Sequence, residues 1–432
     1  MTSQELEALI TDAENKRAKP EEAKLPAERA IAELRTSTWN AALFTAPIAL
    51  RLVKLVRGLG DEKLAQGILN QARESYPTNP EFVRQQHYLF SDYEEFDKAV
   101  AWFDGVVQKV PPVPDAVRIA ALIGAGAAQT NLLRFDQATK SFQEALEAAG
   151  GAASGELLLE QAWLAFDQNS YEDAFPKFQE ASAHVTDDED QHWARVGLLA
   201  SHRQLHSSPD DRGKARQLVS SWEQANVSSD KIVNVFVDCS KLLEGVNLYP
   251  AALDNAEHLL EYVKNNEERL PEYDRNKGDA VYFKIGALKW LRRYAEAEKA
   301  FRDDPDVQTN LKVWSERANV FYEQKQFREA YLYESGEVLE GRELSEQQET
   351  LKENLKTDTE AREWTSVALR KMRKLNEART VMTDAVTNLG RKTNFLGELG
   401  SIHYAERDYD KAIEYFDQAI EINPYETFAL QW

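Results

Sequence analysis

The sequence predicts an all-α chain of paired antiparallel helices stacked as an α-solenoid, and three observations lead there. Apolar residues recur at helical spacing along nearly the whole chain, with almost none of the alternation a half-buried strand needs. The 14 prolines and 19 glycines gather between those periodic segments, as helix punctuation requires. An alanine returns at Ala65, Ala99, Ala138, Ala174, Ala215, Ala252, Ala297, Ala330, Ala378 and Ala412, at intervals from 33 to 48 residues. A chain of 432 residues would ordinarily form two or three globular domains. A repeat array escapes that rule, because each unit buries its apolar face only against its neighbours.

In chain order, residues 1–45 are helical in pattern but carry no repeat. Thr2-x-x-Glu5 is a capping box, Lys19-Pro20 and Leu25-Pro26 interrupt the segment, and an N-terminal helical cap is the expected role. A helix that binds a partner is the alternative. Residues 46–426 hold the solenoid. Its first helix bears Arg51, Lys54 and Arg57 at i, i+3 and i+6, either a dock for an anion, a stripe paired with Asp61, Glu62 and Glu74, or a solvated face.

The clearest units follow. Phe96-Ala99-Phe103 precedes Pro111; Gly126 precedes Phe135-Ala138-Phe142-Ala145; Ala162 precedes Tyr171-Ala174-Phe178-Ala181. Trp193 and Gly197 open another unit, Tyr294-Ala297-Phe301 marks a later one, and Trp314, Ala318, Phe321 and Ala330 fit the next. Leu69, Val219 and Met382 replace the second-helix aromatic in weaker units. Glu334 takes that place in the Ala330 unit, which predicts a different register for that helix.

Insertions lengthen the array at Thr186–Asp190 and His206–Arg212, at Lys264–Asp279, read as an ordered extension and a turn, and at Gly341–Glu360. Within the last, Glu343–Lys356 reads as an exposed extra helix. Residues 427–432 read as the start of a further helix or a truncated C-terminal cap, which would place an effector domain beyond Trp432.

The most regular unit lies in residues 393–426. Helices are expected from Asn394 to Glu406 and from Tyr409 to Ile422, with Arg407-Asp408 as the turn and Pro424 as the stop. Gly400 and Ala412 leave room for close approach, and Phe416 and Ala419 share one face. This succession of a small residue, an aromatic, A-x3-F-x2-A and a proline resembles the tetratricopeptide repeat, whose period is about 34 residues. The resemblance extends over roughly ten units. It implies a superhelix whose first helices line a concave groove for a partner peptide or helix. The groove positions it implies are Arg84, Tyr88, Trp163, Phe166, Arg195, Tyr282, Lys312, Asn319, Tyr322, Trp364 and Tyr404. Aromatics and arginines dominate interface energy, although seam packing between repeats is the other use of those aromatics. Lys312 and Asn319 touch two positions of the family's carboxylate clamp. Glu363 and Trp364 then stand where the clamp wants amides or bases, so chaperone-tail binding is not expected.

Chemistry-bearing motifs are sparse. No phosphate loop, dinucleotide fingerprint or nucleophile elbow occurs in the sequence. Cys239 is the single cysteine, which rules out an intrachain disulfide and a cysteine-based zinc site, and its place on a first helix reads as core packing. His202-x3-His206 has metal-like spacing but lacks further ligands, so helix-end capping by His206 is the better reading and no metal or cofactor is expected. A net charge of −21 disfavours a nucleic-acid backbone and favours basic or neutral partners. The acidic N-terminus is no secretory signal, and Ala41–Val53 is too short and interrupted to span a bilayer. These readings together describe a cytoplasmic, non-catalytic scaffold that binds a protein segment. The alternatives are the regulatory part of a larger enzyme or sensor, and a self-assembling homo-oligomer.

Overall fold

The structure, a computed structural model, describes residues 3–15, 44–59, 61–109, 111–205, 212–341 and 343–422. The chain divides into two compact units, residues 1–205 and 206–432. Among the described residues there are helices and no strand. The Thr2 cap, Pro424 and residues 427–432 lie outside the described residues.

The first unit opens with α1 (Ser3–Asn15), which buries Leu6, Ile10 and Ala13 in one cluster with Ile48, Leu52 and Val56. Hairpins follow: α2 (Ala46–Gly58) with α3 (Glu62–Ser75), α4 (Glu81–Asp92) with α5 (Phe96–Val107), α6 (Asp115–Asn131) with α7 (Phe135–Ala148), and α8 (Gly155–Asp167) with α9 (Tyr171–His184). Helix α10 (Asp188–Leu205) closes the unit. The second unit holds α11 (Arg212–Gln224), α12 (Ser229–Gly245) with α13 (Tyr249–Asn265), α14 (Tyr273–Trp290) with α15 (Tyr294–Asp303), and α16 (Leu311–Glu323) with α17 (Phe327–Glu334). After the added α18 (Glu346–Thr357) come α19 (Thr359–Lys371) with α20 (Leu375–Leu389) and α21 (Thr393–Glu406) with α22 (Tyr409–Ile422).

All ten recurring alanines are buried, none more than 2% exposed; nine lie on the second helix of a hairpin and Ala215 lies on α11. Small side chains let paired helices approach closely, and their burial makes the sequence recurrence a packing recurrence. Leu69, Val219 and Met382 fill the aromatic position as buried residues. The small residue of the first helix has a definite occupant opposite it. A Cβ on Gly126 would lie 2.4 Å from the Phe142 ring, one on Gly197 2.3 Å from Phe178, and one on Gly400 2.5 Å from Phe416. Each glycine is therefore the socket of a phenylalanine from a second helix.

The turns inside the hairpins repeat more faithfully than the residues in them. Glu94, Leu133, Asn169, Asn247, Arg292, Lys325, Arg373 and Arg407 all have φ between 55° and 66°, each two residues before a second helix begins. The next N–H returns to a carbonyl five residues back, as in Arg134 to Gln129 at 2.8 Å and Asp408 to His403 at 3.0 Å. This left-handed stop satisfies the end of one helix and reverses the chain into the next.

Three expectations need correction. Helix α17 ends at Glu334 rather than shifting register: Ala330 keeps its buried place, and Gly336 takes φ 74° directly after the helix. Helix α18 is more than a solvated insert, because Leu351 and Leu355 are each 1% exposed, and Leu355 packs beside Gly336. Its start carries a capping box, Ser345 with Gln348. Lys54 and Arg57 of the basic stripe pair with Asp187 and Asp92, outside their own hairpin. Lys264–Asp279 is ordered as expected, an extension of α13 and α14 around a short turn. Cys239 is fully buried.

Candidate protein-interaction site

Every groove position expected from the sequence lies on a first helix or on α10, but the helices put these residues to different uses. In the first unit the basic stripe is already occupied. Lys54 Nζ lies 2.7 Å from Asp187 Oδ2, and Arg51 donates to Thr11 at 2.8 Å. Arg57 donates to Asp92 and Gln85 and reaches Glu189 at 3.4 Å. Arg84 and Tyr88 both donate to Asp190, and Arg84 Nε is 3.7 Å from Glu156. Arg57 and Arg84 stack their guanidinium groups over the Tyr88 ring at 4.9 and 5.7 Å. Lys54 and Arg57 of the basic stripe thus meet the acidic insertion, 133 residues away for Lys54 and Asp187.

Desolvation sets the charges in that cluster. Burial pushes Glu156 up to about 7 and Glu160 up to about 8, and neighbouring carboxylates add to the shift. Burial together with Arg57 and Arg84 pushes His87 down to about 4. Trp163 packs edge-on to Phe178 at 4.8 Å, and Phe166, only 2% exposed, packs against Trp163 and Tyr171. Phe166 is a seam residue and is withdrawn from the groove. Arg195 is tied to Gln191 on its own helix at 3.1 Å.

The second unit leaves its first helices more open. A cavity of about 340 Å³ lies among α16, α19 and α21, lined by Tyr322, Trp364, Val367, Arg370, Asn394 and Glu398. Tyr322 and Trp364 meet edge-to-face at 5.1 Å, and both rings are partly exposed. Arg370 makes a two-pronged contact with Glu398 at 2.8 and 2.9 Å, and Asn394 donates to Glu363 at 2.7 Å. The aromatic walls are thus backed by polar groups whose bonds are already made. A second cavity of about 540 Å³ contains Tyr282, Lys312 and Asn319 from the expected set, together with Glu244 and Glu316. Lys312 is held by Asp279 at 3.0 Å and so is not presented as a clamp lysine. Tyr404 is 44% exposed and stacks edge-on with Tyr409. His202 is buried against Phe175, and His206 lies outside the described residues.

Sequence reasoning missed Asp187, Glu189 and Asp190 as partners, and Glu244, Glu316, Arg370 and Glu398 as wall residues. Charge in a buried place was the available signal: Glu316 and Glu398 fall within helical apolar faces.

Two stretches, residues 128–186 and 394–426, match family models of the tetratricopeptide repeat. The chain carries tetratricopeptide repeats. No curated protein sequence matches it. Among solved structures it is similar to a tetratricopeptide repeat protein from Parabacteroides merdae, at 15% identity and a TM-score of 0.38, covering 64% of this chain and 96% of that one. It is also similar to YrrB, a repeat protein with an unusual peptide-binding site, at 21% identity and a TM-score of 0.28, covering 46% and 89% of the two chains. Human IFIT1 with m7Gppp-AAAA aligns over 95% of this chain and 88% of its own, at 14% identity and a TM-score of 0.34. With TM-scores below 0.5, the ligands of those proteins say nothing about the ligand of this one. The repeats themselves mark the chain, in general terms, as a protein-interaction scaffold. No described helix is long and apolar enough to cross a membrane.

Proposed function

We propose that the first helices α16, α19 and α21 hold an extended segment of a partner protein, with an apolar or aromatic side chain of that segment seated between Tyr322 and Trp364. The observation that carries this reading is the partly exposed aromatic pair walling a cavity of about 340 Å³. Aromatic anchors in a desolvated pocket are where interface energy concentrates, at about 2 kcal/mol or more each. Val367 and Gly397 add apolar lining to the cavity, and Arg370 and Glu398 pair within that lining. The function read here is binding, with no reaction assigned to the chain.

A display selection of random peptides against the intact chain tests it. Selected peptides should share an aromatic or large aliphatic residue, and Tyr322→Ala with Trp364→Ala should weaken them at least tenfold. Peptides that bind the double variant as tightly as the parent would place the interaction elsewhere.

A further inference from the structure

The second cavity of this unit, about 540 Å³, is lined by Glu244, Glu316, Asp358 and Glu360, with Lys289 paired to Glu316. Glu316 is 5% exposed; its Oε1 lies 2.7 Å from Lys289 Nζ, at an angle that makes no hydrogen bond, and its Oε2 receives only a long 3.4 Å contact from Asn319. Glu244 Oε1 is shielded from solvent and accepts no hydrogen bond. Glu334 is 2% exposed; its Oε2 accepts from Ser315, a lining residue, while its Oε1 accepts nothing.

Gly286 explains how two of these groups converge. A Cβ there would lie 3.3 Å from both Glu244 Oε1 and Glu316 Oε1, so the missing side chain leaves one spot facing two carboxylates. Asp358 and Glu360 add further negative charge to the lining. The lining lysines do not offset it: Lys241 and Lys312 are mostly exposed and pair with Asp238 at 2.8 Å and Asp279 at 3.0 Å. Lys289 is left facing the buried carboxylates. Burial, with the nearby Glu316 adding to it and Lys289 opposing it, pushes Glu244 up to about 7. Among the described residues no group of acidic, histidine or cysteine side chains is arranged to hold a metal ion. A further cation at this point is therefore better supplied as an organic group than as a metal.

We propose that this cavity takes an arginine side chain of the partner segment, its guanidinium bridging Glu244 and Glu316. A planar fork of five donors suits two carboxylates that face one point, and a chain of net charge −21 draws basic segments toward it. The proposal deepens the function proposed above, because α16 carries Glu316 and Asn319 to this cavity and Tyr322 to the aromatic one.

Fluorescein-labelled hexa-arginine and its citrulline counterpart, titrated against the intact chain at 150 mM salt, test it by anisotropy. Arginine should bind at least tenfold more tightly than citrulline, and Glu244→Gln should remove most of that difference. Glu244→Gln leaves the Lys289–Glu316 pair intact, and helicity of the variant is checked by circular dichroism. Asp410→Asn with Glu414→Gln, two exposed carboxylates outside the cavity, controls for overall charge. A loss in Glu244→Gln no larger than in that control, or equal binding of the two peptides, overturns the proposal. Tyr322→Ala with Trp364→Ala should leave hexa-arginine binding within twofold, so failure of the aromatic reading and failure of this one remain distinguishable.

Discussion

Lys54 Nζ and Asp187 Oδ2 lie 2.7 Å apart across 133 residues of chain. The contact is the exposed edge of a deeper one, Arg84 and Tyr88 on Asp190, in which the carboxylate side chain is 5% exposed. The two edges should differ sharply in energy. Lys54→Ala removes a solvent-facing pair and should cost at most about 1 kcal/mol. Arg84→Ala leaves Asp190 buried without its guanidinium and should cost about 3–5 kcal/mol. Urea unfolding of the two variants measures this, and equal midpoints would mean the buried pair is not what closes the first unit.

The same cluster predicts a pH response. Glu156 and Glu160 titrate near 7 and 8 when folded and near 4.3 when unfolded, so between those values the folded chain binds more protons. Stability from these groups therefore falls as pH rises. His87, near 4 when folded against about 6.5 unfolded, acts in the opposite sense, but only below about pH 6.5. From pH 6.5 to 8 the carboxyls act unopposed by His87, and hydrogen exchange of α4 and α8 should quicken more than the intrinsic rate does. Glu160→Gln mimics the protonated acid and should shrink that difference. An unchanged difference would show that Glu160 is ionised throughout.

Two glycine-to-alanine changes should have opposite signs. In Gly126→Ala the new methyl would meet the Phe142 ring at 2.4 Å, and overpacking of this kind costs about 1–3 kcal/mol. Gly105 sits in α5 with nothing within 4 Å, so Gly105→Ala should stabilise by about 1 kcal/mol through helix propensity. Thermal melts decide it; a neutral Gly126→Ala would show that the socket is looser than drawn.

Leu133 holds φ 58° while 70% exposed, a conformation unfavourable to a branched side chain and free to glycine. Leu133→Gly should raise stability by about 0.5–1 kcal/mol despite the loss of an apolar side chain. A lowered melting temperature would mean that the leucine makes contacts outweighing the backbone relief.

Much of this architecture was legible because it is local. The boundaries expected for α21 and α22 differ from the structure by one residue at Thr393, and all ten alanines picked out by their recurrence are buried. The eight left-handed turns were not legible, since glutamate, leucine, asparagine, lysine and arginine all occupy that position and only backbone geometry is shared. Phe166 was misjudged for a related reason: a residue or two of helix rotation separates the seam from the open face. Of the groove candidates, Tyr322 and Trp364 come together in one cavity and Tyr282, Lys312 and Asn319 in another.

Residue order alone was enough to specify that helices form, about where they end and which small side chains recur between them, because those signals are local to one repeat or its neighbour. Which charged groups remain available to a partner was decided by folding over longer distances. Asp190 returns over Arg84 from 106 residues away, and Gly286 brings Glu244 and Glu316 to one point. Burial then sets their charges, and no pattern within a single repeat encodes how much water a neighbouring helix will exclude.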